Sequence, residues 1–138
     1  MLEFTTVEYQ FRVTPKKGYL HVQIAGDNAP ETVLRYLREI YESCVRLQCP
    51  NVLVEENLEG PGLDLGEIFA VVSEGSRSVW PAVQRIAYVD VNPLHELRNM
   101  QFAETVGVNR SVNIRVFRTV PDAENWVAPL GNLPPENP

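Results

Sequence analysis

Val7 to Val13, "VEYQFRV", alternates apolar and polar residues with the period of a half-buried strand. Pro15-Lys-Lys-Gly18 turns the chain, and Tyr19 to Ala25, "YLHVQIA", alternates again, with Leu20, Val22 and Ile24 on one face and His21 and Gln23 on the other. Two such runs around a short turn predict an antiparallel hairpin. The period then lengthens. Val33, Leu34, Leu37, Ile40, Tyr41, Cys44 and Val45 recur at three and four, predicting a helix to about Leu47 with one apolar stripe on the sheet. Asn28 has the place of its cap, Pro30 that of a first-turn proline and Glu31 that of a capping-box acid.

Asn51 to Glu55 opens with Val-Leu-Val, the unbroken apolar run of a strand buried on both faces in a parallel sheet. Asp64 to Ser73, "DLGEIFAVVS", returns to helical spacing with Asp64 as N-cap, and "SEGSRS" after it reads as a polar connector. Gln84 to Val89, "QRIAYV", is a further central strand, and Asn92-Pro93 begins a third helix carrying Leu94, Leu97, Met100, Phe102 and Val106. Asn113 to Phe117 is the last strand, and Val120 to Val127 a short helix anchored by Trp126. Strands alternating with helices after a hairpin predict an α/β fold. The expected mixed sheet has about four or five strands, antiparallel at first and then parallel through right-handed crossovers, packed by about four helices. Residues 1–128 are expected to form a single domain, and 129–138, "PLGNLPPENP", an extended or disordered proline-rich tail.

Charge narrows the partners. A formal net charge of -6 opposes binding to a nucleic-acid backbone, which needs clustered basic side chains. The adjacent Lys16 and Lys17 belong to a solvated turn. Cys44 and Cys49 match no zinc spacing and read as reduced thiols. Neither a signal peptide nor a membrane span is expected, and a bacterial-type cytoplasm is the expected location.

Five segments in this order, "GYLHVQIAG", "VLVE", "RIAYV" and "IRVFRTVPDAENW" with the helix between the first two, resemble the SpoIIAA-like family, a bacterial STAS-like group related in shape to CRAL-TRIO lipid-binding domains. The resemblance spans roughly Tyr9 to Ala128. Its most specific element is the final strand followed by Ala123 and Trp126. It implies a sheet of four or five strands with helices packed against it. The larger STAS group that it resembles contains anti-sigma-factor antagonists, which are switched by a phosphorylated serine at the start of a helix. The corresponding turn here, Gly62 to Gly66, contains no hydroxyl residue, so such a switch would need another serine, with Ser73 and Ser76 as candidates.

Candidate chemistry gathers where parallel strands end. Glu55, Glu56 and Asp64 surround a Gly-Pro-Gly turn, and Asp90 and Asn92 follow the next strand. Their spacing fits no calcium loop, and they read chiefly as solvated carboxylates, with a small enzyme using Glu55, Glu56 and Asp64 as one alternative. His21 is expected to hydrogen-bond across strands and His95 to face solvent in the first turns of a helix. The favoured reading is a non-enzymatic STAS-like binding protein with no cofactor, metal or catalytic residue. It would take a protein partner or a small apolar, lipid-like ligand near residues 57–80, as a monomer or weak homodimer. Glu55, Asn57, Gly60, Gly62, Leu63, Asp64, Leu65, Phe69 and Trp80 form the candidate loop and groove, and Ile68, Val72 and Val79 contribute if the second helix stands off the sheet.

Overall fold

The computed structural model describes residues 9–78 and 83–128. The expectations for Val79, Trp80 and the 129–138 tail lie outside these residues. A single five-stranded sheet runs in sequence order. Its strands are β1 (Tyr9–Lys16), β2 (Tyr19–Asp27), β3 (Asn51–Glu59), β4 (Arg85–Asp90) and β5 (Ile114–Phe117). β1 and β2 pair antiparallel from Tyr9↔Gly26 to Lys16↔Tyr19, with Gly18 at φ 87 in the turn, where a side chain would be strained. The remaining pairs are parallel.

Each parallel pair is joined by a helix: α1 (Pro30–Leu47), α2 (Leu65–Ser78) and α3 (Leu97–Val108). Crossovers of one hand between successive strands put all three on the same face. Alternate strand positions there, Leu20, Val22, Ile24, Val52, Val54 and Ile86, pack with Val33, Leu37 and Ile40 of α1. The opposite face is covered by α4 (Val120–Val127), whose Ala123 and Val127 pack on Tyr19, Leu53, Ala87 and Val89. Burial on both faces explains why β3 opens with an unbroken apolar run, Val52 to Val54, and does not alternate there. Trp126 does anchor α4: its ring lies 5.7 Å from that of Phe117, and the Arg85 guanidinium stands 5.4 Å above it.

Several local expectations are corrected. The α1 stripe is rotated, so that Tyr36 is buried while Leu34 and Val45 are 36% and 53% exposed. Asn28 is not the α1 cap; Ala29 holds that position without a side-chain bond, and Asn28 reaches elsewhere. "SEGSRS" is the end of α2, not a connector: Ser73 and Ser76 lie within the helix, and Ser76 Oγ donates to the Ser73 carbonyl at 2.9 Å. β3 continues to Glu59, past the end expected at Glu55. α3 starts at Leu97, leaving Asn92 to Glu96 as a turn with Leu94 80% exposed.

Asp64 does cap α2, through a reciprocal box. The Glu67 N–H donates to Asp64 Oδ1 at 2.8 Å, and the Asp64 N–H donates to Glu67 Oε1 at 3.0 Å. Asp64→Ala should therefore lower unfolding free energy by about 1 kcal/mol, measured by urea titration; an unchanged midpoint would show that the box contributes nothing. Gly107 in α3 marks a close approach: a Cβ there would come within 2.8 Å of Ile114 Cγ2 on β5.

Candidate functional site

The parity of β3 decides what lies where. Val52, Val54, Glu56 and Leu58 share the face under α1–α3, and Glu55 points to the α4 side. Glu55 and Glu56 are therefore not a pair. Glu55 meets His21, whose Nε2 lies 2.8 Å from its Oε1, which is the cross-strand role expected of that histidine. Glu56 is carried inward and is only 5% exposed. Asp64 caps α2, so the proposed Glu55–Glu56–Asp64 constellation is dispersed by the fold.

Glu56 gathers a different set. Tyr36 of α1 donates its hydroxyl to Oε2, and Tyr88 of β4 donates to Oε1 at 2.7 Å. Burial and the nearby negative charge of Asp90 push the Glu56 carboxyl up to about 7, against the lowering effect of the tyrosine hydroxyls and His95. Burial, reinforced by the charge on Glu56, holds both tyrosines well above their ordinary range, so they remain neutral donors.

His95 is the clearest departure from expectation. Its side chain and that of Asp90 are each 4% exposed, with Nδ1 2.7 Å from Asp90 Oδ2. Nε2 lies 2.9 Å from the Gly60 carbonyl. A carbonyl only accepts, so this closest contact favours a proton on Nε2 over the longer approaches of the Asn28 and Asn92 amide nitrogens at 3.4 and 3.3 Å, and the carboxyl group on the other side favours one on Nδ1. Burial alone would lower the His95 pKa, but the Gly60 carbonyl and Asp90 outweigh it and the net shift is upward. The His95 ring thus braces the turn after β3. Asn28 Nδ2 donates to the Pro61 carbonyl at 2.9 Å, and Asn99 Nδ2 to that of Leu63 at 3.3 Å, so three separate segments hold this loop.

Beneath the loop, between the sheet and α1–α3, lies a cavity of about 100 Å³. Its body is apolar, with Leu37, Val54, Ile68, Val71, Ile86 and Met100 among its walls. Glu56, Tyr36, Tyr88, Asp90 and His95 form a polar end, and the exposed Gly62 and Glu96 also border it. Glu56, Asp90 and His95 place one possible ligand atom each within 4.8 Å of one another. A metal ion would have to take a His95 nitrogen away from Asp90 or Gly60, so the arrangement favours an ion-paired imidazolium over a metal ligand.

Of the loop and groove residues expected from sequence, Gly62 and Leu63 line the cavity and Gly60 supplies the carbonyl for His95. Asn57 is exposed at the end of β3. Leu65 and Phe69 are 51% and 48% exposed on the outer side of α2, where the Arg110 guanidinium lies 4.9 Å over the Phe69 ring. Val72 and Ile68 do border the cavity. Tyr36 and Tyr88 were missed. Tyr36 was detectable, since it stands three residues after Val33 and four before Ile40 on the buried stripe. Cys44 and Cys49 are both free thiols, and burial pushes that of Cys44 up to about 12. No helix among the described residues is long and apolar enough to cross a membrane.

No family model matches the chain, and no curated protein matches it. Solved structures do. An anti-sigma factor antagonist from Mycobacterium paratuberculosis superposes with a TM-score of 0.55 at 14% identity, over 87% of this chain and 94% of that one. An uncharacterized protein of the DUF3478 family from Shewanella loihica PV-4, with a SpoIIAA-like fold, superposes at 0.52 and 12% identity, over 93% of this chain and all of that one (100%). Identities this low speak to shape alone. The five strands in sequence order, the leading hairpin and the helices on both faces give this chain the SpoIIAA-like fold.

Proposed function

We propose that the chain is a non-enzymatic binding protein of the SpoIIAA/STAS-like fold that holds a small, largely apolar ligand between the sheet and α1–α3. The observation that carries this reading is the cavity itself: an apolar body of about 100 Å³ ending in a buried, hydrogen-bonded carboxyl group. Small-molecule sites combine apolar walls with a few placed polar groups in this way. An engineered apolar cavity of about 150 Å³ takes benzene, so 100 Å³ suits a short branched chain. It does not suit a long acyl chain, which narrows the lipid-like expectation.

The absence of chemistry is supported by how the polar groups are engaged. An Asp–His pair serves catalysis when the second ring nitrogen faces a nucleophile or substrate; His95 Nε2 faces the Gly60 carbonyl. A switch by phosphorylation finds less support, because Ser73 and Ser76 are both half-buried within α2 and Ser73 Oγ is buried.

Filling the cavity tests the proposal. Ala103 lines it and is 9% exposed. Ala103→Leu should keep the fold, with a stability change of about 1 kcal/mol or less, because the added carbons enter existing space. Native mass spectrometry of the unaltered chain should show a small bound molecule that the variant loses. A clean protein mass, together with no NMR shift on titrating short branched alcohols, would overturn the reading.

A further inference from the structure

The polar end of the cavity is more specific than its walls. We infer that the ligand is a small hydrophobic amine, its ammonium group donating to Glu56 while its hydrocarbon part fills the cavity. This rests on the ligand-binding reading above and specifies it.

Hydrogen-bond capacity gives the first argument. A carboxylate offers two acceptor positions on each oxygen. Tyr36 occupies one on Oε2 and Tyr88 one on Oε1, which leaves one on each. An ionised Glu56 accepts only, so the group completing it must donate, and an ammonium brings three donors. The neighbouring hydroxyls are already turned toward Glu56.

Charge gives the second. The groups facing Glu56 are Tyr36 from α1, Tyr88 and Asp90 from β4, and His95 from the turn before α3. The tyrosines are neutral. His95, whose pKa the Gly60 carbonyl and Asp90 raise against the effect of burial, lies 2.7 Å from the Asp90 carboxyl group and its charge is directed there. Glu96 adds a further acid at the cavity border. Glu56 is therefore the one negative charge of this inner group without a balancing cation, and it is 5% exposed. A buried charge is costly unless it is paired, so a cation gains there what a neutral group does not. A carboxylate ligand of fatty-acid type would meet Glu56 with like charge.

Protonation supplies a signature. Burial and Asp90 raise the Glu56 pKa to about 7, and a bound ammonium lowers it again. Amine binding should therefore weaken about tenfold for each pH unit below 7, as the carboxyl takes up a proton.

The test compares isobutylamine, isobutanol and isovalerate, which share a branched hydrocarbon and differ in the head group, by NMR titration between pH 5.5 and 8.5. The amine stays protonated throughout. Isobutylamine should bind at least about tenfold more tightly than isobutanol at pH 8 and lose this advantage toward pH 5.5, while isobutanol changes little. Glu56→Gln should abolish the advantage and its pH dependence while still binding isobutanol, which shows that the fold and cavity persist. Equal affinities for amine and alcohol at pH 8, or tightest binding of isovalerate, would overturn the amine assignment and leave the cavity reading standing. Failure of all three probes to bind would overturn both.

Discussion

Glu56→Gln is expected to unfold with greater difficulty than the native chain at pH 8, by up to about 3 kcal/mol, and to lose that advantage on acidification toward pH 4.5. The carboxyl of Glu56 ionises near 4.5 when unfolded and near 7 in the folded state. Well below 4.5 it is protonated in both states and contributes no pH dependence. Between the two values the unfolded chain sheds its proton first, so stability falls as pH rises; above about 7 the full penalty is present. At about 1.4 kcal/mol per pKa unit, the displacement from 4.5 to about 7 amounts to about 3 kcal/mol. That figure is already net of the charge-assisted bonds from Tyr36 and Tyr88, which hold the carboxyl's pKa below what burial and Asp90 alone would set.

His95 acts in the same direction. Its folded pKa is raised, so its stabilising contribution is complete below the unfolded value near 6.5 and is lost as pH rises through the folded one. Urea unfolding of both chains at pH 4.5, 6 and 8 separates the two groups, since the variant loses the Glu56 contribution while the Gly60 carbonyl and Asp90, the larger causes that raise His95, remain. A variant less stable than the native chain at pH 8 would mean that the tyrosines more than offset the buried charge. A carboxyl that weakens the fold at neutral pH is the kind of group whose retention supports the binding role proposed above, since functional sites commonly hold perturbed groups at the expense of stability.

The architecture was legible because its determinants are local. Alternation in β1 and β2 set the hairpin, the stripes set the helices, and short connections in fixed order left one arrangement of crossovers. The candidate site was less legible because it depends on parity and on long-range packing. "VLVEENLE" does not alternate at its start, since both faces are covered, yet Val52, Val54, Glu56 and Leu58 are of one parity, and that alone separates Glu56 from Glu55. Asn28 and the Asn92-Pro93 pair have the look of helix starts. In the fold Asn28 donates to the Pro61 carbonyl and Asn92 to that of Leu58, bonds across the chain that no local spacing announces. His95 is buried because of where the loop after β3 folds back, and the small polar residues at the end of α2 stay helical where Val71 and Gly75 are buried by packing.

Ile86→Ala should cost about 2–5 kcal/mol, and a suitable ligand should return part of it. Ile86 is 3% exposed, lies between Val52 and Ile114 in the sheet register, and lines the cavity. Its truncation merges a new void with existing space, which leaves surrounding atoms little to collapse onto and places the cost toward the upper end. The enlarged cavity should accept a single-ring amine such as benzylamine. A ligand at about a hundred times its dissociation constant restores about 2.7 kcal/mol. Leu53→Ala is the matched control. Leu53 is fully buried (0% exposed) on the α4 side, so its truncation should cost a similar amount without opening space to the cavity. Denaturant unfolding with and without benzylamine should therefore show rescue of Ile86→Ala alone. Equal rescue of both variants would mean that the amine stabilises the fold from somewhere other than this cavity. Absence of rescue in Ile86→Ala would mean that the space under α1–α3 does not admit ligands, whatever its polar end could recognise.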